Sequence, residues 1–269
     1  MRKIVTILLF LGWASVGFAQ EDVNSLVKEG IKLHDAREYD KAIAIYKKAL
    51  KIDPKSSLVN YEIALSYMQN QDYKNAVKYS DKVLKAKNAK HELAAYMVNG
   101  SALDMLGETN KSIKVFKKAI KKYRSHLLYY NLALNYFKLK DFDNAEKYAT
   151  KGIEIKASHA SSHFMLGNLH SIKGNKVQAI LATYYALFLE PNSKRAKSAY
   201  KLLKANIASG VKKDKNKPNT LNLSISGDKE EFSVAELTLA MLEANRLSKE
   251  NKDKSEQQIF KENTYPVKI

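Results

Sequence analysis

The chain has no cysteine. That absence excludes disulfides, thiolate metal sites, a cysteine nucleophile and a lipid-modified N-terminal cysteine. Proline is scarce, with four in 269 residues, and tryptophan occurs once, as Trp13. Acidic residues are outnumbered: 28 Asp and Glu stand against 46 Lys and Arg, a net charge of +18. Nearly all of the excess is lysine, a point charge without the planar fork by which arginine grips phosphate, so it suggests diffuse attraction to anionic surfaces. Lysine-rich solvated helix faces account for the same excess without any partner.

Long hydrophobic runs are missing except for one. Residues 1–20, MRKIVTILLFLGWASVGFAQ, place two cations before an uncharged run from Ile4 to Phe18, with Gly17 and Ala19 in the slots a signal peptidase reads. The expectation is a cleaved secretory signal over 1–19. A bilayer span needs about 20 apolar residues, so an uncleaved anchor is the weaker alternative. Cleavage would start the mature chain near Gln20, remove the only tryptophan, take the charge from +18 to +16 with the loss of Arg2 and Lys3, and deliver the protein to the periplasm or outside.

Beyond that run a small residue recurs at near-constant spacing: Gly30, Ala64, Gly100, Ala133 and Gly167. A second trails each by twelve: Ala42, Ala76, Ser112, Ala145 and Ala179. Two small positions per unit, each inside an apolar 3.6-period stretch, are what two antiparallel helices need to cross closely. Counting Gly30 as position eight, units begin at Val23, Ser57, Leu93, His126 and Ala160. Position four then holds Leu26, Asn60, Tyr96, Tyr129 and His163, position eleven holds Leu33, Tyr67, Leu103, Tyr136 and His170, and Pro54 and Pro191 close units one and five. The chain is therefore read as a stack of helical hairpins, a form that offers extended surfaces for holding another molecule.

In its small, aromatic and proline positions, LVKEGIKLHDAREYDKAIAIYKKALKIDP above all, the chain resembles the tetratricopeptide repeat family from about Val23 to Pro191. Asn60 and Thr109 depart from its pattern, and units two and three do not end in proline. The resemblance implies an all-α, right-handed α-solenoid of about five helix-turn-helix repeats, here over 20–192. A capping helix is expected over 193–210, with Ala199, Leu202, Leu203 and Ile207 covering the last hairpin. A basic linker with a short strand at Leu221, Leu223 and Ile225 then spans 211–232. A C-terminal helical segment follows over 233–269, its helix Val234 to Leu247 opened by the Ser233/Glu236 capping box and striped by Leu237, Met241 and Ala244.

The resemblance also implies which positions line the inner groove. These include Val27, Ile31, Leu58, Tyr61, Leu65, Met68, Met97, Met105, Leu127, Tyr130, Leu134, Phe137, Phe164 and Ile172, an apolar and aromatic set. The expected partner is a hydrophobic helix or peptide, in trans or the chain's own helix 234–247; the alternatives are that neighbouring helices cover this face as ordinary core, or that helix 234–247 extends the cap. The lysines and asparagines with which some relatives clamp a C-terminal carboxylate are replaced by Val27, Ile31, Glu62, Ala94 and Val98, and Asn131 alone fits.

Other constellations are read more plainly. His159, His163 and His170 could share a helical face, but two hold packing slots, so packed histidines are expected and no metal. Lys111 to Arg124 and Lys194 to Lys217 are cationic tracts suited to anionic envelope polymers or lipid head groups. Arginine scarcity and the lack of aromatic-basic alternation argue against nucleic acid. No GxSxG, HExxH or phosphate-cradling loop occurs, so neither enzymatic activity nor a cofactor is expected.

Overall fold

The computed structural model describes residues 22–86, 90–214, 220–224 and 232–248, with Asn251, Lys254, Ser255 and Gln258. The expected signal over 1–19 and the turn at Gly227 and Asp228 lie outside the described residues. Five helix pairs run in order: α1 (Val23–Asp35) with α2 (Tyr39–Ile52), α3 (Ser57–Gln69) with α4 (Tyr73–Lys85), and α5 (Glu92–Met105) with α6 (Thr109–Ile120). The last two pairs are α7 (His126–Lys138) with α8 (Phe142–Ile155), and α9 (Ala160–Ile172) with α10 (Lys176–Leu189). After them come α11 (Ala196–Ala208), β1 (Val211–Lys213), β2 (Leu221–Leu223) and α12 (Ser233–Arg246). The fold is all-α, of the solenoid class, and the chain divides into two compact units, Met1–Val98 and Asn99–Ile269.

The five turns between paired helices are built alike. Each holds one residue in the left-handed region: Arg37 (φ 62°), Gln71 (61°), Gly107 (79°), Lys140 (59°) and Gly174 (76°). Around each, the next amide donates back to the last helical turn, as in Glu38 to Leu33, Asp72 to Tyr67 and Asn175 to His170, which closes the helix in a Schellman arrangement. In two of the five, the residue after the turn caps the second helix with its side chain. Asp72 accepts from the Asn75 amide at 3.1 Å and Asp141 from the Asn144 amide at 3.2 Å, satisfying amides that the first turn leaves unpaired.

Within each pair, the small residue of the first helix faces the residue sixteen positions on, and the two sizes compensate. Gly30 lies under Tyr46, Gly100 under Phe116 and Gly167 against Thr183, where an added Cβ would sit 2.2 Å, 2.4 Å and 2.2 Å from the neighbour's nearest atom. Where alanine replaces glycine, at Ala64 and Ala133, the corresponding residues are the small Ser80 and Ala149, all four fully buried. In the first and third pairs close packing thus sets a ring against glycine, while alanine corresponds to a small residue in the second and fourth; Gly167 meets the smaller Thr183. One polar thread crosses the second unit's core: Asn135 Nδ2 donates to Ser112 Oγ at 2.6 Å, and Ser112 Oγ donates to the Gly100 carbonyl at 2.7 Å.

The C-terminal appendage adds a strand to the sequence reading, and its helix takes the cap-extending one of the two placements weighed for it. Val211–Lys213 is not linker: it pairs antiparallel with Leu221–Leu223, Val211 opposite Leu223. Helix α12 packs on α11 and β2, with contacts to α10 and β1; α7 is not among the elements it packs on. The hairpin takes up much of the tether that would have carried it to the groove. Its orientation is also reversed, because Glu236, Ala240 and Glu243 form the buried side while Val234, Leu237 and Met241 are exposed.

Candidate functional site

The groove set falls into both units. In the first, Ile31 is exposed and Leu58, Tyr61, Leu65, Met68 and Met97 are half-buried. Val27 is a correction. It is 6% exposed and belongs to the core cluster with Leu26, Ala42 and Tyr46, because α1 turns that residue towards α2. Tyr61 stacks nearly parallel on His91 with centroids 5.6 Å apart, so part of its ring is already covered. Beside it, burial holds the Glu62 carboxyl above its ordinary range and the nearby Asp35 charge adds to the effect. Burial lowers His34, whose Nδ1 lies 2.8 Å from Ser66 Oγ.

In the second unit, Leu127 and Leu134, seven apart on α7, are exposed, and Tyr130 and Phe137 between and beside them are half-buried. Met105 on α5 and Ile172 on α9 are exposed as well. The polar groups of this face are committed to local partners: the amides of Asn131 and Asn168 donate to the carbonyls of Leu127 (2.8 Å) and Phe164 (2.7 Å), and Lys138 Nζ meets Asp104 Oδ1 at 3.1 Å. Phe164 is drawn under α11, where it lines a cavity of about 10 Å³ with Ala160, Leu187 and Ala199. That is room for one water at most.

The histidines diverge. His159 Nδ1 lies 2.8 Å from Ser162 Oγ and the ring meets Tyr130 and His126 edge-on at 5.1 and 4.8 Å, while His163 Nε2 lies 2.8 Å from the Ala157 carbonyl. Among the described residues no group of three or more His, Cys, Asp or Glu could hold a metal ion. Burial, then the charges of His126, Lys156 and Arg195, pull His159 down to about 4. Its folded value is below the ordinary 6.5, so above pH 6.5 the ring is neutral folded or unfolded, and as pH falls from 6.5 to 4 only the unfolded chain takes up the proton. Thermal melts are expected to show stability falling across that window, and His159→Gln is expected to flatten the fall. An unchanged pH profile in the variant would contradict this environment.

A group that sequence reasoning missed lies at the start of α10. Lys176 is 5% exposed and no hydrogen bond reaches its Nζ; burial lowers its pKa while the Glu236 and Glu243 charges raise it. Arg246 holds Glu243 from the other side at 2.6 Å. A cleft of about 310 Å³ opens beside Lys176, lined among others by Ser171, Asn206, Ser209 and Ser224. The signal was there: Lys176 is the one cation in an otherwise uncharged α10.

Comparison with known proteins follows the same lines. Residues 33–98 and 127–159 each match a tetratricopeptide repeat model. A TPR repeat-containing protein of Methanocaldococcus jannaschii is 26% identical over 167 residues, which are 61% of this chain and 28% of the relative, so the chain spans little more than a quarter of that protein. The crystal structure of MamA protein is 27% identical, with a TM-score of 0.55 over 66% of this chain and 95% of that one. YrrB, described as a TPR protein with an unusual peptide-binding site, is 20% identical with a TM-score of 0.52 over 67% and 93%, a likeness of fold.

Proposed function

We propose that this chain, a member of the tetratricopeptide repeat family, is an exported, non-enzymatic scaffold that holds an apolar helix or extended peptide on the inner helices of its repeats. The observation that carries the reading is α7, where Leu127 and Leu134 stand exposed beside half-buried Tyr130 and Phe137 while the neighbouring polar groups are bonded locally. An exposed apolar face whose polar rim is already satisfied gains by taking an apolar partner out of water. The test is a displayed peptide library panned on the full chain. Selected peptides are expected to be apolar, and Leu127→Asp with Leu134→Asp is expected to weaken them by about tenfold or more, since each buried leucine is worth about 1.5–3 kcal/mol. Equal binding by parent and variant would overturn the reading.

A second reading rests on α6, whose Lys114, Lys117 and Lys118, with Lys121 at its C-cap, are exposed with no acid among them. That face suits an anionic polymer of the envelope. Lys117 is less free than its exposure suggests, because its ammonium lies 5.4 Å over the Tyr136 ring.

A further inference from the structure

The second helices of the repeats present four solvent-facing positions, two, five, six and nine residues beyond the second small residue. In α2 they are Ala44, Lys47, Lys48 and Lys51; in α4 Lys78, the half-buried Asp81, Lys82 and Lys85; in α6 and at its C-cap Lys114, Lys117, Lys118 and Lys121; in α8 Lys147, Thr150, Lys151 and Glu154. In α10 the same positions hold Leu181, Tyr184, Tyr185 and Phe188. They are not covered: the four are 59%, 61%, 39% and 69% exposed. One stripe of the molecule has thus exchanged lysine for large apolar side chains at the places where the other repeats face water. Tyr185 meets His163 edge-on at 4.6 Å and stacks on Phe188 at 6.2 Å.

The surroundings say what could cover it. Helix α11 packs on α10 and exposes Tyr200, Lys197, Lys201 and Lys204, with Lys204 over the Tyr200 ring at 5.5 Å. Helix α12, which also touches α10, leaves Val234, Leu237 and Met241 exposed. A second copy is disfavoured, because it would bring two such cationic surroundings together in a chain of net charge +18. A peptide would find a single-helix ridge, with neither a groove nor a free strand edge to seat it. Aromatic and aliphatic side chains projecting between lysines are the composition of a surface that lies in the head-group layer of a bilayer, rings at the interface and ammonium groups on anionic lipid.

We propose that the α10 stripe, with the lysines of α11, is a membrane-surface site that takes anionic phospholipid. It is separate from the peptide-holding face of α7. It shares with the α6 reading only an anionic partner, since here burial of the stripe is required and charge alone does not suffice. Among the described residues no helix is long and apolar enough to cross a membrane, so the contact is peripheral.

Sedimentation with vesicles of phosphatidylcholine, alone or mixed with phosphatidylglycerol, tests this on the full chain. The parent is expected to bind the mixed vesicles and hardly the neutral ones. Leu181→Lys, Tyr184→Lys and Phe188→Lys together return the stripe to the pattern of the other repeats and add three positive charges; binding is nevertheless expected to fall about tenfold or more. A variant without added charge, Tyr184→Ser with Phe188→Ser, is expected to lose binding likewise, and both should melt with the parent because the changed side chains are exposed. Equal or tighter binding by the lysine variant would overturn the proposal in favour of charge alone. Absence of vesicle binding by the parent would overturn it outright, as would a dimer in sedimentation velocity that the lysine variant disperses.

Discussion

Gly30→Ala is expected to destabilise the first unit by about 1–3 kcal/mol, a large cost for one methyl group. The new Cβ would lie 2.2 Å from Tyr46 Cε1, and Tyr46 is fully buried, so its ring has nowhere to retreat. Tyr46→Ser alone should cost more, about 3–5 kcal/mol, by opening a cavity where an aromatic ring had been. The double change reproduces the alanine and serine that the next repeat uses at Ala64 and Ser80. It should therefore be less damaging than the sum of the two single changes, a coupling that urea melts of the four proteins measure directly. Strict additivity would show that the size pairing does not operate.

Lys176→Met is expected to release the C-terminal helix. It removes the ammonium whose charge acts on Glu236 and Glu243 and leaves the buried Glu236, and Glu243 with its Arg246 partner, without that compensation; because no hydrogen bond joins the ammonium to either carboxylate, the expected cost is about 1–3 kcal/mol, below that of breaking a bonded buried pair. Hydrogen exchange should show α12 losing its protection while α7 and α8 keep theirs. Adding Glu236→Gln should restore part of it, because the uncompensated charge is then gone. Unchanged protection of α12 in Lys176→Met would mean that Ala240 against Gly210, with the β1–β2 hairpin, holds the helix without the charges.

These two cases mark what could be read in advance. The repeat was legible because crossing helices demand small residues at fixed places: the first helices begin at Val23, Ser57, Glu92, His126 and Ala160, against expected starts of Val23, Ser57, Leu93, His126 and Ala160. The appendage was less legible. Val-Lys-Lys at 211–213 carries no strand alternation, and its ladder is set by its partner at 221–223. The face of α12 was misjudged because periodicity assigns the apolar stripe inward, whereas Glu236, Ala240 and Glu243 form the buried side and Lys176 is buried with them. In α10 it is repeat-by-repeat comparison that shows Leu181, Tyr184 and Phe188 at water-facing positions. Val27 was placed by family position, one residue from the core residue Leu26, and burial went to both.

The most direct measurement of the central claim, that the chain holds an apolar partner on its inner helices, is a salt titration of a library-selected peptide bound to the full chain and to Leu127→Asp with Leu134→Asp. Burial of apolar surface predicts a dissociation constant that hardly changes from low to physiological ionic strength, and one about tenfold or more weaker in the variant at every salt. A constant that weakens steeply with salt and is the same for both proteins would contradict the claim and assign binding to the lysine faces.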